Sequence, residues 1–122
     1  MGYFKHHAII VTGWRDEMDE IHRKAKEVFE KTFENDPYDA PHASRLVSEI
    51  VDSLSNGTRS FFIAPDGSKS GWATSNNADK AREEFLDWLK KSYAGIDYVE
   101  IYYGGDDEHQ GIYRSNNTDM KK

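Results

Sequence analysis

Apolar residues recur along the chain with two different periods, and the switches between them divide it into elements. Phe4 to Gly13 is an apolar, β-branched run closed by a glycine, which predicts a strand. Beyond it Met18, Ile21, Ala25, Val28, Phe29 and Phe33 recur every three to five residues, the pattern of a helix with one apolar face. Trp14-Arg15-Asp16 opens that helix, and Asp16 and Glu17 suit the positive end of its dipole. Its opposite face offers Glu20 with Lys24, Asp19 with Arg23 and Glu27 with Lys31, each four residues apart. Glu34 to Ser44 holds two prolines and three acids and reads as a loop. From Leu46 to Leu54 the apolar positions 46, 47, 50, 51 and 54 suit a short helix as well as a strand. Asn56-Gly57 follows, the strongest short hairpin signal, and favours a strand over Val47 to Ser53 paired with Arg59 to Ala64.

Pro65-Asp66-Gly67 ends that run as a tight turn, and Ser68 to Thr74 is a Gly/Ser loop carrying one Trp. Ser75-Asn76-Asn77 reads as the N-cap of a second amphipathic helix, with Ala81, Phe85, Trp88, Leu89 and Tyr93 on one face and Gly95 as its stop. Asp97 to Tyr103 alternates like a strand, Gly104 to Gln110 is an acidic glycine-rich turn, and Gly111 to Arg114 returns as a short edge strand. Residues 1–114 are thus expected to form one domain and 115–122 a disordered tail. The order β-α-β-β-α-β plus a C-terminal hairpin strand predicts an α+β domain of the ferredoxin-like, split β-α-β kind. Its sheet would be antiparallel with both helices on one face. A helical Leu46 to Leu54 would give a plain α+β meander instead.

Composition narrows the function more than the fold. The absence of cysteine excludes disulfides, thiolate metal sites and cysteine nucleophiles. The N-terminal apolar run is too short for a secretory signal or a membrane span, so a cytoplasmic protein without membrane contact is expected. A net charge of −6 opposes direct nucleic-acid binding and suits a partner with a basic surface. The sheet topology is shared with RNA-recognition domains, but Ser60-Phe61-Phe62-Ile63-Ala64-Pro65 lacks their basic and aromatic signature.

Apolar burial is expected to turn Val99 and Ile101 towards the helices, leaving Tyr98, Glu100 and Tyr102 on the open face of the sheet. The parity of the first strand is not decided by its sequence, since either face carries apolar and histidine residues. Exposed rings on an open sheet mark a binding platform or a homodimer interface. Together with the acidic turn residues Asp106, Asp107 and Glu108, these three form the candidate interaction surface for a host protein. A second reading places a small molecule, such as a nucleotide signal, at a dimer interface near His6, His7, Arg59 and Lys69. His6 and His7 approach the turn that holds His109, which raises a metal site. Consecutive strand residues point to opposite faces, however, so no metal or other cofactor is expected. Asp66 to Trp72 lacks the spacing of a phosphate-binding P-loop, and no nucleophile constellation is present; a non-enzymatic protein is the favoured reading.

Several stretches also carry a resemblance. They are Gly2-Tyr3-Phe4-Lys5-His6-His7-Ala8-Ile9-Ile10-Val11-Thr12, Asn56-Gly57, Ser60 to Lys69 with Gly71-Trp72, and Asp97-Tyr98-Val99-Glu100 with Tyr103-Gly104. Together the chain resembles a group of small uncharacterised proteins encoded in tailed-bacteriophage genomes. The resemblance transfers no functional residue. It implies a setting, the cytoplasm of an infected bacterium, and a role in host takeover or in countering host defence.

Overall fold

The computed structural model describes residues 3–106 and 108–117, and at its centre lies the first apolar run. β1 (His6–Trp14) is the middle strand of a five-stranded sheet. The others are β2 (Val51–Asp52), β3 (Thr58–Ile63), β4 (Asp97–Tyr103) and β5 (Gly111–Ser115), in the order β2-β3-β1-β4-β5, and every neighbouring pair is antiparallel. With α1 (Arg15–Thr32) and α2 (Ala73–Ser92) this is an α+β architecture.

The core forms where the two helices cover one face of the sheet. Ile9 and Val11 of β1 are fully buried while Ile10 between them is 43% exposed, so the odd-numbered residues of β1 face the helices. Phe61 of β3 lies beside them and meets the ring of His22 from α1 and of Phe85 from α2. The predicted apolar face of α1 is buried as read, from Met18 through Phe33. Its polar face pairs differently. Arg23 binds Glu27 rather than Asp19, Asp19 binds Arg59, and the Tyr93 hydroxyl donates to Glu20.

Two elements depart from the pattern. The segment before the Asn-Gly turn is neither a helix nor a full strand. A 3₁₀ turn covers Ala43–Leu46, Val47 makes one bridge to Ile63, and regular pairing resumes only at Val51–Asp52. Between them the Ser48 hydroxyl accepts the Phe62 backbone N–H, taking the place of a strand carbonyl and breaking the ladder. Asn56 (φ 64°) and Gly57 (φ 71°) do form the turn, both in the left-handed region that favours these residue types. Second, α2 begins two residues before Ser75, with Trp72 at its N-cap and no side-chain cap. Ser75, Asn76 and Asn77 therefore lie within its first turns, and Trp72 is 54% exposed.

The chain reverses tightly between β4 and β5. Gly105 has φ +70°, and a Cβ there would lie 2.1 Å from the Phe4 carbonyl oxygen, so only glycine fits. The C-terminal strand runs through Ser115, and Asn116 closes it. The Tyr98 N–H donates to the Asn116 side-chain oxygen (2.9 Å), and the Asn116 N–H donates to the Tyr98 carbonyl (3.2 Å). The rest of the expected tail, Thr118 to Lys122, lies outside the described residues.

Candidate functional site

β4 is turned over relative to the expectation from its sequence. Tyr98 is 8% exposed and Glu100 1%, both on the helix-covered face, and Val99 and Ile101 lie on the open one. Registration with β1 dictates this. Val11 opposes Tyr98 and Ile9 opposes Glu100, and directly opposed residues share a face. Because Ile9 and Val11 fill the core, their partners go inward with them. Tyr102, opposite His7, is on the same side and half-buried.

A carboxylate this deep is tolerated only with partners, and two arginines and a histidine supply them. Glu100 Oε1 accepts from Arg114 Nε at 2.6 Å, its Oε2 lies 2.8 Å from His7 Nδ1, and Arg82 Nε stands 3.6 Å away. Burial by itself would raise the Glu100 pKa. The hydrogen bonds from His7 and Arg114 and the charges of Arg114 and Arg82 outweigh it and hold the group below the usual carboxylate range. Arg82, itself buried on α2, also binds Asp66 at 3.2 Å and Asp79 at 2.5 Å. One network thus ties β1, β4, β5, α2 and the loop after β3 together.

A bulge in β5 completes it. Arg114 opposes Glu100 and Ile112 opposes Ile101, so Tyr113 has no partner on β4, and its ring stands 5.0 Å from that of His7 in an edge-on contact. Between β5 and α2 this leaves a cavity of about 230 Å³, whose walls include His7, Tyr113, Asp79 and Glu83. Glu83 also lines a shallower depression of about 480 Å³ along α2, whose walls mix acids and bases: Glu84, Asp87, Lys80 and Lys91 beside Trp88. Asp79, Glu83 and Asp87 are spaced four residues apart and form an exposed acidic line along which the two hollows meet. Asp79 is bound to Arg82, while neither Glu83 nor Asp87 has an ion-pair partner among the described residues.

The other expected ligand residues do not converge. His6 lies on the opposite face from His7, between Phe4 and Tyr103. Arg59 is at the far end of β1, opposite Gly13, held by Asp52 and Asp19 at 2.9 Å each; hydrogen bonds to Asp19 and Asp52 push its pKa further up. Lys69 sits in the loop before α2. The acidic turn does lie beside the start of β1. Asp106 accepts the Phe4 N–H through its carboxylate (2.9 Å) and donates its own N–H to the Phe4 carbonyl (2.7 Å), while the Lys5 ammonium donates to the His109 carbonyl. Asp106 and Glu108 are exposed; Asp107 lies outside the described residues. Among the described residues no group of three or more His, Asp or Glu side chains is placed to hold a metal ion.

The residues that sequence reading missed had one visible signal. Arg82 falls within the apolar stripe Ala78, Ala81, Phe85, Leu86 and Leu89, where a charge demands a buried partner. No family model matches the chain, and neither a curated protein nor a solved structure is detectably similar to it.

Proposed function

We propose that the chain is a small, non-catalytic, phage-encoded binding protein that engages a basic surface of a host protein in the bacterial cytoplasm. The acidic line on α2 carries the reading. Like charges four residues apart cost a helix roughly 0.2–0.5 kcal/mol per pair, and Asp79, Glu83 and Asp87 make two such pairs in succession. That arrangement does nothing for the stability of α2, but beside Asp79, which Arg82 holds, it presents Glu83 and Asp87, without an ion-pair partner among the described residues, along the two hollows. These carboxylates suit the lysine and arginine side chains of a partner through ion pairing; the nearby rings of Trp88 and Tyr113 already carry the cations of Lys24 and Arg114. The net charge of −6 would steer such an encounter. The exposed Asp106 and Glu108 add to the same negative field. The strand order supports a split β-α-β scaffold of the ferredoxin-like kind, with β1 between β3 and β4 and β5 added beyond β4.

A fluorescent lysine/arginine-rich peptide titrated with the protein tests the proposal directly. Reversing Glu83 and Asp87 to lysine together should weaken binding about tenfold or more, taking about 1 kcal/mol per exposed pair. Rising salt should weaken the wild type in the same way. The same double variant should fail to capture the wild-type partner from host lysate. Equal binding by both proteins, or binding indifferent to salt, would overturn the reading.

A further inference from the structure

The open face of the sheet is left without cover by either helix, and its composition differs from the rest of the surface. By register it carries Ile10, flanked by Phe62 on β3 and Val99 on β4, then Ile101 with Ile112 beyond it on β5. Phe62 is 45% exposed and Ile112 58%. Among the strand residues on this face only Asp97, at its edge, bears a formal charge, in a chain of which 31% is charged. Three apolar side chains aligned across adjacent strands and left in water mark a contact surface.

We propose that this face is occupied by a second copy of the same chain, giving a face-to-face homodimer that leaves the acidic line of α2 outward on both copies. Three observations select this occupant. The first is charge: two chains of −6 repel each other, and the open sheet is the surface where they can meet with least repulsion. A basic partner, by contrast, gains nothing from an uncharged face. The second is shape. Phe62 projects on one side of β1, and on the other side lies a depression of about 390 Å³ bordered by Ile10, Val99 and Ile112. A two-fold axis running along β1 between the sheets brings β3 of each copy over β4 of the other, so each Phe62 meets the partner's depression. That reciprocity is what an isologous contact requires. The third is area. Strand spacing and rise give the face roughly 500 Å² per copy, hence about 1,000 Å² for the pair, which reaches the size of a specific interface. Strand-to-strand association is the poorer alternative, because β2 has two residues and β5 is bulged.

Sedimentation velocity of the full chain should give a dimer, twice the 14.1 kDa of the monomer. Phe62→Glu and Ile10→Lys, both at partly exposed positions, should each give a monomer with an unchanged far-ultraviolet circular dichroism spectrum. Should either variant fail to fold, Ile10→Cys decides the matter. The chain has no other cysteine, and the two residues beside the axis, on sheets about 10 Å apart and so too distant for a direct disulfide, should be joined by a short bismaleimide into a cross-linked dimer. Deleting residues 118–122 should leave the dimer intact. A monomer at every concentration, a dimer that survives both charged substitutions, or Ile10→Cys that does not cross-link would overturn the proposal. A dimer lost with 118–122 would also overturn it, by assigning the face to the chain's own C-terminal segment. The Glu83→Lys/Asp87→Lys protein should remain dimeric, so failure of the dimer and failure of peptide binding are read separately.

Discussion

Replacing Glu100 with glutamine keeps the shape of the side chain and removes its charge, which isolates what the buried network contributes. In the wild type Glu100 is 1% exposed, bonded to Arg114 at 2.6 Å and His7 at 2.8 Å, with Arg82 at 3.6 Å. Removing one partner of a buried pair costs about 3–5 kcal/mol, chiefly because the other charge stays buried without compensation. Here Arg82 keeps Asp66 and Asp79, and Arg114 is partly exposed and can reach water, so the loss belongs at the low end. We expect about 3 kcal/mol, or roughly 10 °C in Tm for a domain of this size. The sign with pH is definite. Glu100 titrates below its ordinary 4.5 in the folded chain, so its stabilisation is present above that value and is lost as pH falls through the folded pKa. Urea unfolding followed by circular dichroism should therefore show a wide gap between wild type and Glu100→Gln at pH 7. The gap should narrow as the pH is lowered below 4.5. A variant within about 0.5 kcal/mol of wild type at pH 7, or a gap that widens in acid, would refute the reasoning.

Gly105→Ala should destabilise the fold by about 2 kcal/mol or more, since it adds left-handed strain to a Cβ 2.1 Å from the Phe4 carbonyl; unfolding midpoints in urea measure this. The Tyr93 hydroxyl, which donates to Glu20 and is pushed up to about 12, should be the late step in an ultraviolet tyrosine titration, and Tyr93→Phe should remove it. The raised pKa means that the Tyr93–Glu20 contribution is complete below pH 10 and fades as pH climbs through about 12.

The elements that were legible in the sequence are those whose pattern is decided locally. The apolar residues of α1 recur often enough to fix its buried face without reference to anything else, and Asn56-Gly57 marks its turn through backbone preference alone. β4 was misread because its parity is not a local property. Val99 and Ile101 are the more apolar set, yet β1 fills the core with Ile9 and Val11, and opposed residues must share a face. The inward place of Glu100 depends on His7, Arg82 and Arg114 from β1, α2 and β5, at sequence distances of 93, 18 and 14 residues, which no periodicity within β4 reveals. The interaction surface read from Tyr98, Glu100 and Tyr102 therefore moved with the strand. The open sheet carries aliphatic side chains in their place.

The two faces of the molecule differ in the kind of water-exposed surface each presents. On the helix side the charges are of two sorts. Those of Arg82, Glu100 and Arg114 are engaged with one another and with Asp66 and Asp79, although Arg82 Nε, 3.6 Å from Glu100, makes no hydrogen bond. Glu83 and Asp87, a few residues along the same helix, have no such partner among the described residues. A carboxylate held by a neighbouring cation must break that pair before it binds another, whereas an unpaired one loses only its hydration. On the proposed reading, recognition belongs to Glu83 and Asp87, and Glu100 supports it by holding β5 against α2 through Arg114 and Arg82. Glu100→Gln in a protein that still folds should accordingly weaken peptide binding less than Glu83→Lys/Asp87→Lys does, and should leave its salt dependence in place. A larger loss from Glu100→Gln would mean that the buried network itself contacts the partner.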